Sequence, residues 1–375
     1  VDGAGAGAAV LIHVCLSSHG FGHGSRTAAV LAELANLRPQ WRLVLSTGLP
    51  EAFLRLAFGP VPFELRRCRW DVGMVQADAL GTDGPATLEA LEELDGVLPE
   101  QVEREARWLE RQEGPRLILA DVPPTAALLA RRVGAPLVWL ASFGWDAIYR
   151  PLGGAFTARA DQALALYRQG DLLIRCPLSL AMDWGVPALD VGLTASQPRL
   201  DAEDLAQQLV LPAQRDRCVL LSFGGLGLAL DPALLAHWPE HVFVGPDPAL
   251  SAAANGRVLP PGVRPLDLMP RIGRLITKAG YSSFCEAFTQ GVGVHLVRRD
   301  GFAEAPVLER DLQRHGWHRL LSREQLEAGA WELDQPLKPP LEGPLAPDGA
   351  RRAAAAIVRL AEEGSGDPIV SGGRV

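Results

Sequence analysis

Short apolar runs, each bounded by glycine or polar turns, recur along this chain with amphipathic helical patterns between them. A half-exposed strand alternates apolar and polar residues, whereas a strand covered on both faces reads as a continuous apolar run. The runs Val10–Leu16, Arg42–Thr47, Arg116–Val122, Pro136–Ser142 and Asp171–Cys176 are of the second kind. The stretches Thr27–Leu37, Thr87–Gln112 and Thr125–Val133 between them carry helical periodicity. The rhythm restarts at Cys218–Phe223 and continues through His241–Gly245, Arg274–Thr277 and Val292–Arg298. Helices are expected over Ser282–Gln290, Pro306–His315 and Arg323–Ala328. An α/β class follows, with two Rossmann-like domains of parallel sheet facing a central cleft.

The pattern thins between Asp183 and Leu211, which separates the halves. Five prolines between Asp334 and Pro347 rule out a continuous helix there, and an Ala- and Arg-rich helix follows over Asp348–Glu363. The expected domains are 8–195 and 196–345, then a C-terminal helix at 346–364 that can cross back to the first domain. A glycine-rich flexible tail is expected over 365–375. No repeat of 20–50 residues occurs.

Composition excludes several function classes. A net charge of -8 argues against a polyanion, and so against nucleic acid as a partner. The five cysteines are scattered without a CxxC, so neither a disulfide framework nor a cysteine zinc site is readable. No apolar run reaches the roughly 18 residues of a bilayer span, and Val10–Leu16 has no basic segment before it. A soluble, cytoplasmic protein without an integral membrane segment is expected.

Chemistry concentrates at the ends of the runs, where open α/β sheets bind ligands. Ser17-Ser18-His19-Gly20-Phe21-Gly22-His23-Gly24-Ser25-Arg26 follows the first strand. Its glycines permit a tight turn and close approach of a ligand, and the helix expected near Ser25 offers free N–H groups to an anion. The spacing is not GxGxxG. An imidazole titrates near neutrality and suits proton transfer from a hydroxyl, which makes His19 and His23 candidates; a tight turn holding two satisfied histidines is the plainer alternative. In the second half, Ser222-Phe223-Gly224-Gly225 is a possible backbone cradle for phosphate. Lys278-Ala279-Gly280-Tyr281-Ser282-Ser283 leads into a helix with Glu286 one turn in. That spacing fits a capping box, or a phosphate at the helix N-terminus with Glu286 accepting hydrogen bonds from a ribose diol. Arg298, Asp300 and Glu304 crowd another strand end. Asp121, Asp71, Gln76, Asp78, Trp145 and Asp146 complete the polar and aromatic groups near these edges.

Several of these motifs resemble one family. Gly20-Phe21-Gly22-His23-Gly24-Ser25-Arg26, Gln76-Ala77-Asp78-Ala79-Leu80, Phe143-Gly144-Trp145-Asp146-Ala147-Ile148-Tyr149, Lys278-Ala279-Gly280-Tyr281 and Arg298-Arg299-Asp300-Gly301-Phe302-Ala303-Glu304-Ala305-Pro306 resemble the N-terminal, non-kinase region of plant-type L-arabinokinases. That region looks like a GT-B glycosyltransferase, distantly similar to the peptidoglycan N-acetylglucosaminyltransferases. The family usually has Ala-Thr where this chain has Gly24-Ser25. No Gly-Leu-Ser-Ser-type ATP loop of the sugar-kinase half occurs, so kinase activity is not expected.

The resemblance implies a nucleotide-sugar donor site in the second domain, built from Ser222, Gly224, Gly225, Lys278, Gly280, Tyr281, Ser282, Ser283, Glu286, Arg298, Asp300 and Glu304. It implies an acceptor site in the first, around Asp71, Gln76, Asp78, Trp145 and Asp146. The expected activity is transfer of a sugar from a nucleotide diphosphate, UDP favoured, to a hydroxyl acceptor, without metal or other cofactor. His23, or else His19, would be the base, and Asp121 would orient it or bind acceptor hydroxyls itself. A nucleotide-sugar epimerase or hydrolase and a non-catalytic sugar-nucleotide sensor are the alternatives.

Overall fold

The structure is a computed structural model that describes residues 9–75, 81–224, 230–298 and 302–363. The first sheet contains β1 (Leu11–Leu16), β2 (Arg42–Ser46), β3 (Glu64–Arg66), β4 (Arg116–Asp121), β5 (Leu137–Ala141), β6 (Leu172–Arg175) and β7 (Ala188–Asp190). Their spatial order is β3-β2-β1-β4-β5-β6-β7. The second sheet contains β8 (Cys218–Leu221), β9 (Val242–Gly245), β10 (Gly256–Val258), β11 (Arg274–Lys278), β12 (Gly293–Val297) and β13 (His318–Leu321), in the order β10-β9-β8-β11-β12-β13. Every pairing within both sheets is parallel.

All six residues of β1 and all five of β5 are buried, as continuous apolar runs require when helices cover both faces. Four strands went unread in the sequence: β3, β7, β10 and β13. The first three are three residues long and carry charge, and β13 begins His318-Arg319, so none forms an apolar run. The stretch between Asp183 and Leu211 is likewise more ordered than it reads, holding β7 and a helix over Ala202–Gln208 capped by Asp201. In each sheet the strand order reverses between the first strand and its inner neighbour, β1 beside β4 and β8 beside β11. A crevice forms beyond the strand C-termini at that place, and the ends of these four strands position the site.

The proline-rich stretch before the last helix runs as an extended strap. Lys338 bridges backbone to backbone with His318, and the Ala346 carbonyl accepts from Leu193 N at 2.8 Å. The helix Gly349–Glu363 then packs on the helix Phe21–Leu37 that follows β1. Ala353, Ala354 and Ile357 are fully buried in this seam, where alanines allow the two backbones a close approach. Arg38 and Glu362 pair at its end, 2.6 Å apart. No helix among the described residues is long and apolar enough to cross a membrane.

Because Ile357 is 0% exposed, Ile357→Ala should destabilise the protein by about 2–5 kcal/mol, the range for truncating a fully buried aliphatic side chain. A lowered urea midpoint at unchanged far-UV circular dichroism checks this.

Candidate active site

The glycine turn after β1 is shorter than its sequence suggests. The helix begins at Phe21, with Gly20 as its N-cap, so Gly22, His23 and Gly24 lie inside its first turn and not before it. Glycine is tolerated there because bulk is not: a Cβ on Gly24 would sit 2.5 Å from the Phe53 ring, and one on Gly22 would meet Ser282 Oγ at 3.4 Å. Starting the helix early puts His23, Arg26 and Thr27 at i, i+3 and i+4, on one face. That face meets the end of β4, where Asp121 pairs in register with Leu16 of β1.

Asp121 is completely buried, and four donor contacts surround it. His23 Nδ1 lies 2.8 Å from Oδ1, Thr27 Oγ1 donates to Oδ2 at 2.7 Å, and Arg26 donates from Nε to Oδ2 at 3.0 Å and from Nη2 to Oδ1. Burial alone would raise the Asp121 pKa, but the Arg26 charge and these hydrogen bonds outweigh it and hold the carboxyl down at about 2. An ionised Asp121 fixes the His23 tautomer. Nδ1 carries the proton, and Nε2 is the nitrogen left to accept one. With its lone pairs engaged, Asp121 has no capacity left for an acceptor hydroxyl.

His19 sits deeper. Its Nδ1 accepts from Met74 N at 3.3 Å, and its ring lies 5.2 Å from Trp145 and 6.2 Å from Phe302. Trp145 Nε1 donates to Asp71 Oδ2 at 2.9 Å, with both residues buried behind His19. Burial raises the Asp71 and Asp146 pKa values. The expected acceptor residues Asp71, Trp145 and Asp146 therefore form the support of the site and do not line its cavity. Gln76 and Asp78 lie outside the described residues.

In the second domain the capping box is not formed. The helix Tyr281–Gln290 starts one residue earlier than the serines suggest, its N-cap is Gly280, and no side chain caps it. Its first N–H groups open toward the cleft and Lys278 lines the same wall, an arrangement that attracts an anion. Ser282 Oγ donates across the cleft to the Gly22 carbonyl at 2.7 Å. The Tyr281 hydroxyl lies 2.7 Å from Thr194 Oγ1, and its ring faces the Arg26 guanidinium at 5.0 Å. Gly224, after β8, has φ +78, a conformation that favours glycine.

Two cavities meet here. One, of about 630 Å³, runs between the domains past His19, His23, Phe143, Lys278 and Glu304. The other, of about 680 Å³, runs on beneath Ser222, Asp247, Arg264 and Glu286. They share Phe21, Gly22, Phe223, Gly224, Ser282 and Ser283, so the free helix N-terminus stands at their junction. Glu304 is buried in the first cavity, with Ser142 Oγ 3.5 Å away. Arg298 faces elsewhere: it is exposed, pairs with Glu309 at 2.7 Å and lines a separate cavity of about 510 Å³. Gly225 and Asp300 lie outside the described residues.

Solved structures share this architecture over nearly the whole chain. Arabidopsis thaliana UGT89C1, solved with UDP-L-rhamnose, superposes with a TM-score of 0.56 at 14% identity, covering 96% of this chain and 95% of that one. A Polygonum tinctorium UDP-glucosyltransferase capable of glucosylating indoxyl gives a TM-score of 0.57 at 15% identity, covering 96% and 95%. The chain has the GT-B fold. An L-arabinokinase of Arabidopsis thaliana is 28% identical over 340 residues, 88% of this chain, and the chain spans about a third (32%) of that relative's length. No family model matches. On this GT-B frame, sequence reasoning missed Arg26 and Thr27 as partners of Asp121, Ser142 as a partner of Arg26, and Arg264 beside Glu286. Helical spacing from His23 would have found the first two, had the helix been started at Phe21.

Glu286 has an unusual environment for a carboxyl group. Desolvation in the cavity wall, only partly offset by Arg264, raises its pKa from 4.5 to about 7. The folded state thus holds this proton more tightly than the unfolded chain, and stability falls as pH rises from about 4.5 to 7. Glu286→Gln should therefore raise the melting temperature of the unliganded protein above pH 7. The gain should shrink on acidification and vanish near pH 4, as differential scanning fluorimetry across pH will test.

Proposed function

We propose that this protein transfers a sugar from a nucleotide-diphosphate sugar, UDP favoured, to a hydroxyl acceptor. One observation carries the proposal. An imidazole, oriented by a buried carboxylate, lines one cavity, and an uncapped helix N-terminus joins that cavity to a second one holding a desolvated carboxyl. The second cavity would take the base and ribose, with Glu286 accepting hydrogen bonds from the ribose diol. The diphosphate would lie at the N-terminus of Tyr281–Gln290, beside Lys278 and Gly224. The sugar would then reach the first cavity near Glu304, with its anomeric carbon close to His23.

His23 Nε2 takes the proton of the acceptor hydroxyl while the acceptor oxygen bonds to the anomeric carbon. The bond from that carbon to the diphosphate oxygen breaks, and the electron pair leaves with the nucleotide. Lys278 and the helix N–H groups stabilise the added negative charge, so no divalent metal is required. Asp121 stays ionised throughout and holds the Nδ1 proton in place while Nε2 takes the second. Support for the donor class comes from the solved neighbours bound to UDP-L-rhamnose and UDP-glucose. The 28% identity to an L-arabinokinase names neither sugar nor acceptor for this chain.

His23→Ala should lower kcat by 10²–10⁴-fold, about 3–5 kcal/mol of barrier, with donor affinity close to the parent's. His19→Ala should cost less. Turnover of a labelled donor, at saturating donor and with and without acceptors, measures both. Equal consumption of donor without acceptor would instead indicate a hydrolase. Rates in excess EDTA should match rates in Mg²⁺.

Glu286→Ala should weaken UDP binding by roughly 1.5–3 kcal/mol, the range for a hydrogen bond to a charged group. In the parent, affinity should strengthen as pH rises through about 7, because only the ionised carboxyl accepts both hydroxyl protons. Calorimetric titration from pH 6 to 8 decides; a flat profile removes the ribose clamp.

A further inference from the structure

Asp121 does not serve His23 alone. Arg26 chelates the same carboxylate through Nε and Nη2, so the imidazole shares Oδ1 with a guanidinium. Nη2 of Arg26 also lies 3.4 Å from His23 Nδ1. The guanidinium cannot swing clear. Its Nη1 donates to Ser142 Oγ at 2.9 Å, the Tyr281 ring covers it at 5.0 Å, and the residue is 2% exposed.

Charge counting shows what the third member does. A lone Asp–His pair goes from -1 to 0 when the imidazole takes a proton. With Arg26 the trio goes from 0 to +1, and the new charge appears beside a fixed cation in a desolvated place. The other charged and titratable groups near His23 divide in sign. Lys278 across the cavity adds to the guanidinium, while Glu304, reached through Ser142, and Asp71 oppose it. His19 shares the cavity, and Phe143, 5.7 Å from the His23 ring, brings no charge. None of these chelates Asp121. Thr27, its remaining partner, is neutral.

We infer that Arg26 is a positioning residue that neutralises Asp121 and so keeps the His23 imidazole in its neutral, proton-accepting form. The inference deepens the transferase reading and rests on His23 being the base, but its primary test needs no turnover. The His23 imidazole is followed by NMR titration of the unliganded protein, its signals assigned by their loss in His23→Gln. In Arg26→Gln the titration midpoint should move upward by about one pH unit or more, the effect of removing a like charge at this range. Arg26→Lys should return it most of the way. The acid limb of kcat/KM for transfer should follow the same order.

Arg26→Gln strips a buried carboxylate of its main partner, so a neutral pair keeps the question open if that variant does not fold. In Arg26→Gln/Asp121→Asn no buried charge is left unmatched. Because each charge cancels the other at the imidazole, the double variant should titrate close to the parent. A midpoint unmoved in Arg26→Gln, or one that falls by a unit or more in the double variant, would overturn the assignment and leave Asp121 alone in control. Absence of transfer with any nucleotide sugar, with the titration shifts as stated, would instead count against the transferase reading only.

Discussion

A carboxylate with no exposed surface is an expensive thing to fold around, and Asp121 organises the first domain accordingly. Stripping an ion of water inside a protein costs several kcal/mol unless partners replace that water nearly in full. Here they come from three residues on one helical face. Loss of any of them leaves the carboxylate short of a donor, so the helix Phe21–Leu37 has one rotational setting against β4. The backbone next to the carboxylate is held as firmly. Val122 adopts φ +79, unfavourable for a β-branched residue, and the Tyr167 hydroxyl pins its carbonyl at 2.7 Å. The chain turns sharply there, so the strand ends with its last side chain aimed at the helix. Strain and ion pairing serve the same aim.

The second domain reaches this cluster by contact with the same helix. Ser282 meets the Gly22 carbonyl, and Tyr281 covers Arg26 while its hydroxyl meets Thr194. The first two residues of the helix that presents its N-terminus to the cleft thus also bind the opposite wall. Anything that displaces one wall disturbs the anion-binding end of the other.

The apolar runs were enough to read nine of the strands, because burial on both faces leaves an unambiguous mark on sequence. β3, β7 and β10 are three-residue edge or near-edge strands, specified by their neighbours' hydrogen bonds more than by their own side chains. At the site, His23, Asp121 and the donor-side motifs were legible as strand-end polar groups. Their mutual arrangement was not. Glycine signals a turn in sequence, and the three between Gly20 and Gly24 hid the start of a helix that needs two of them, Gly22 and Gly24, for clearance against Ser282 and Phe53. Trp145 and Asp71 read as ligand contacts for a related reason: polar and aromatic groups near strand ends look the same whether they line a cavity or buttress it.

The seam between the helices Phe21–Leu37 and Gly349–Glu363 also bears on how the molecule is made. Arg38 and Glu362 meet across 324 residues of chain, and the helix Gly349–Glu363 covers the apolar face beneath them. During synthesis the first domain emerges long before its covering segment, and it must wait with this face open while the whole second domain is translated and folds. Such late closure favours slow final assembly and exposes the nascent chain to association with chaperones or with its own copies. Joining Glu363 to the start of β1 by a short linker, and opening the chain between the domains, would place both halves of the seam within one contiguous stretch and remove that wait.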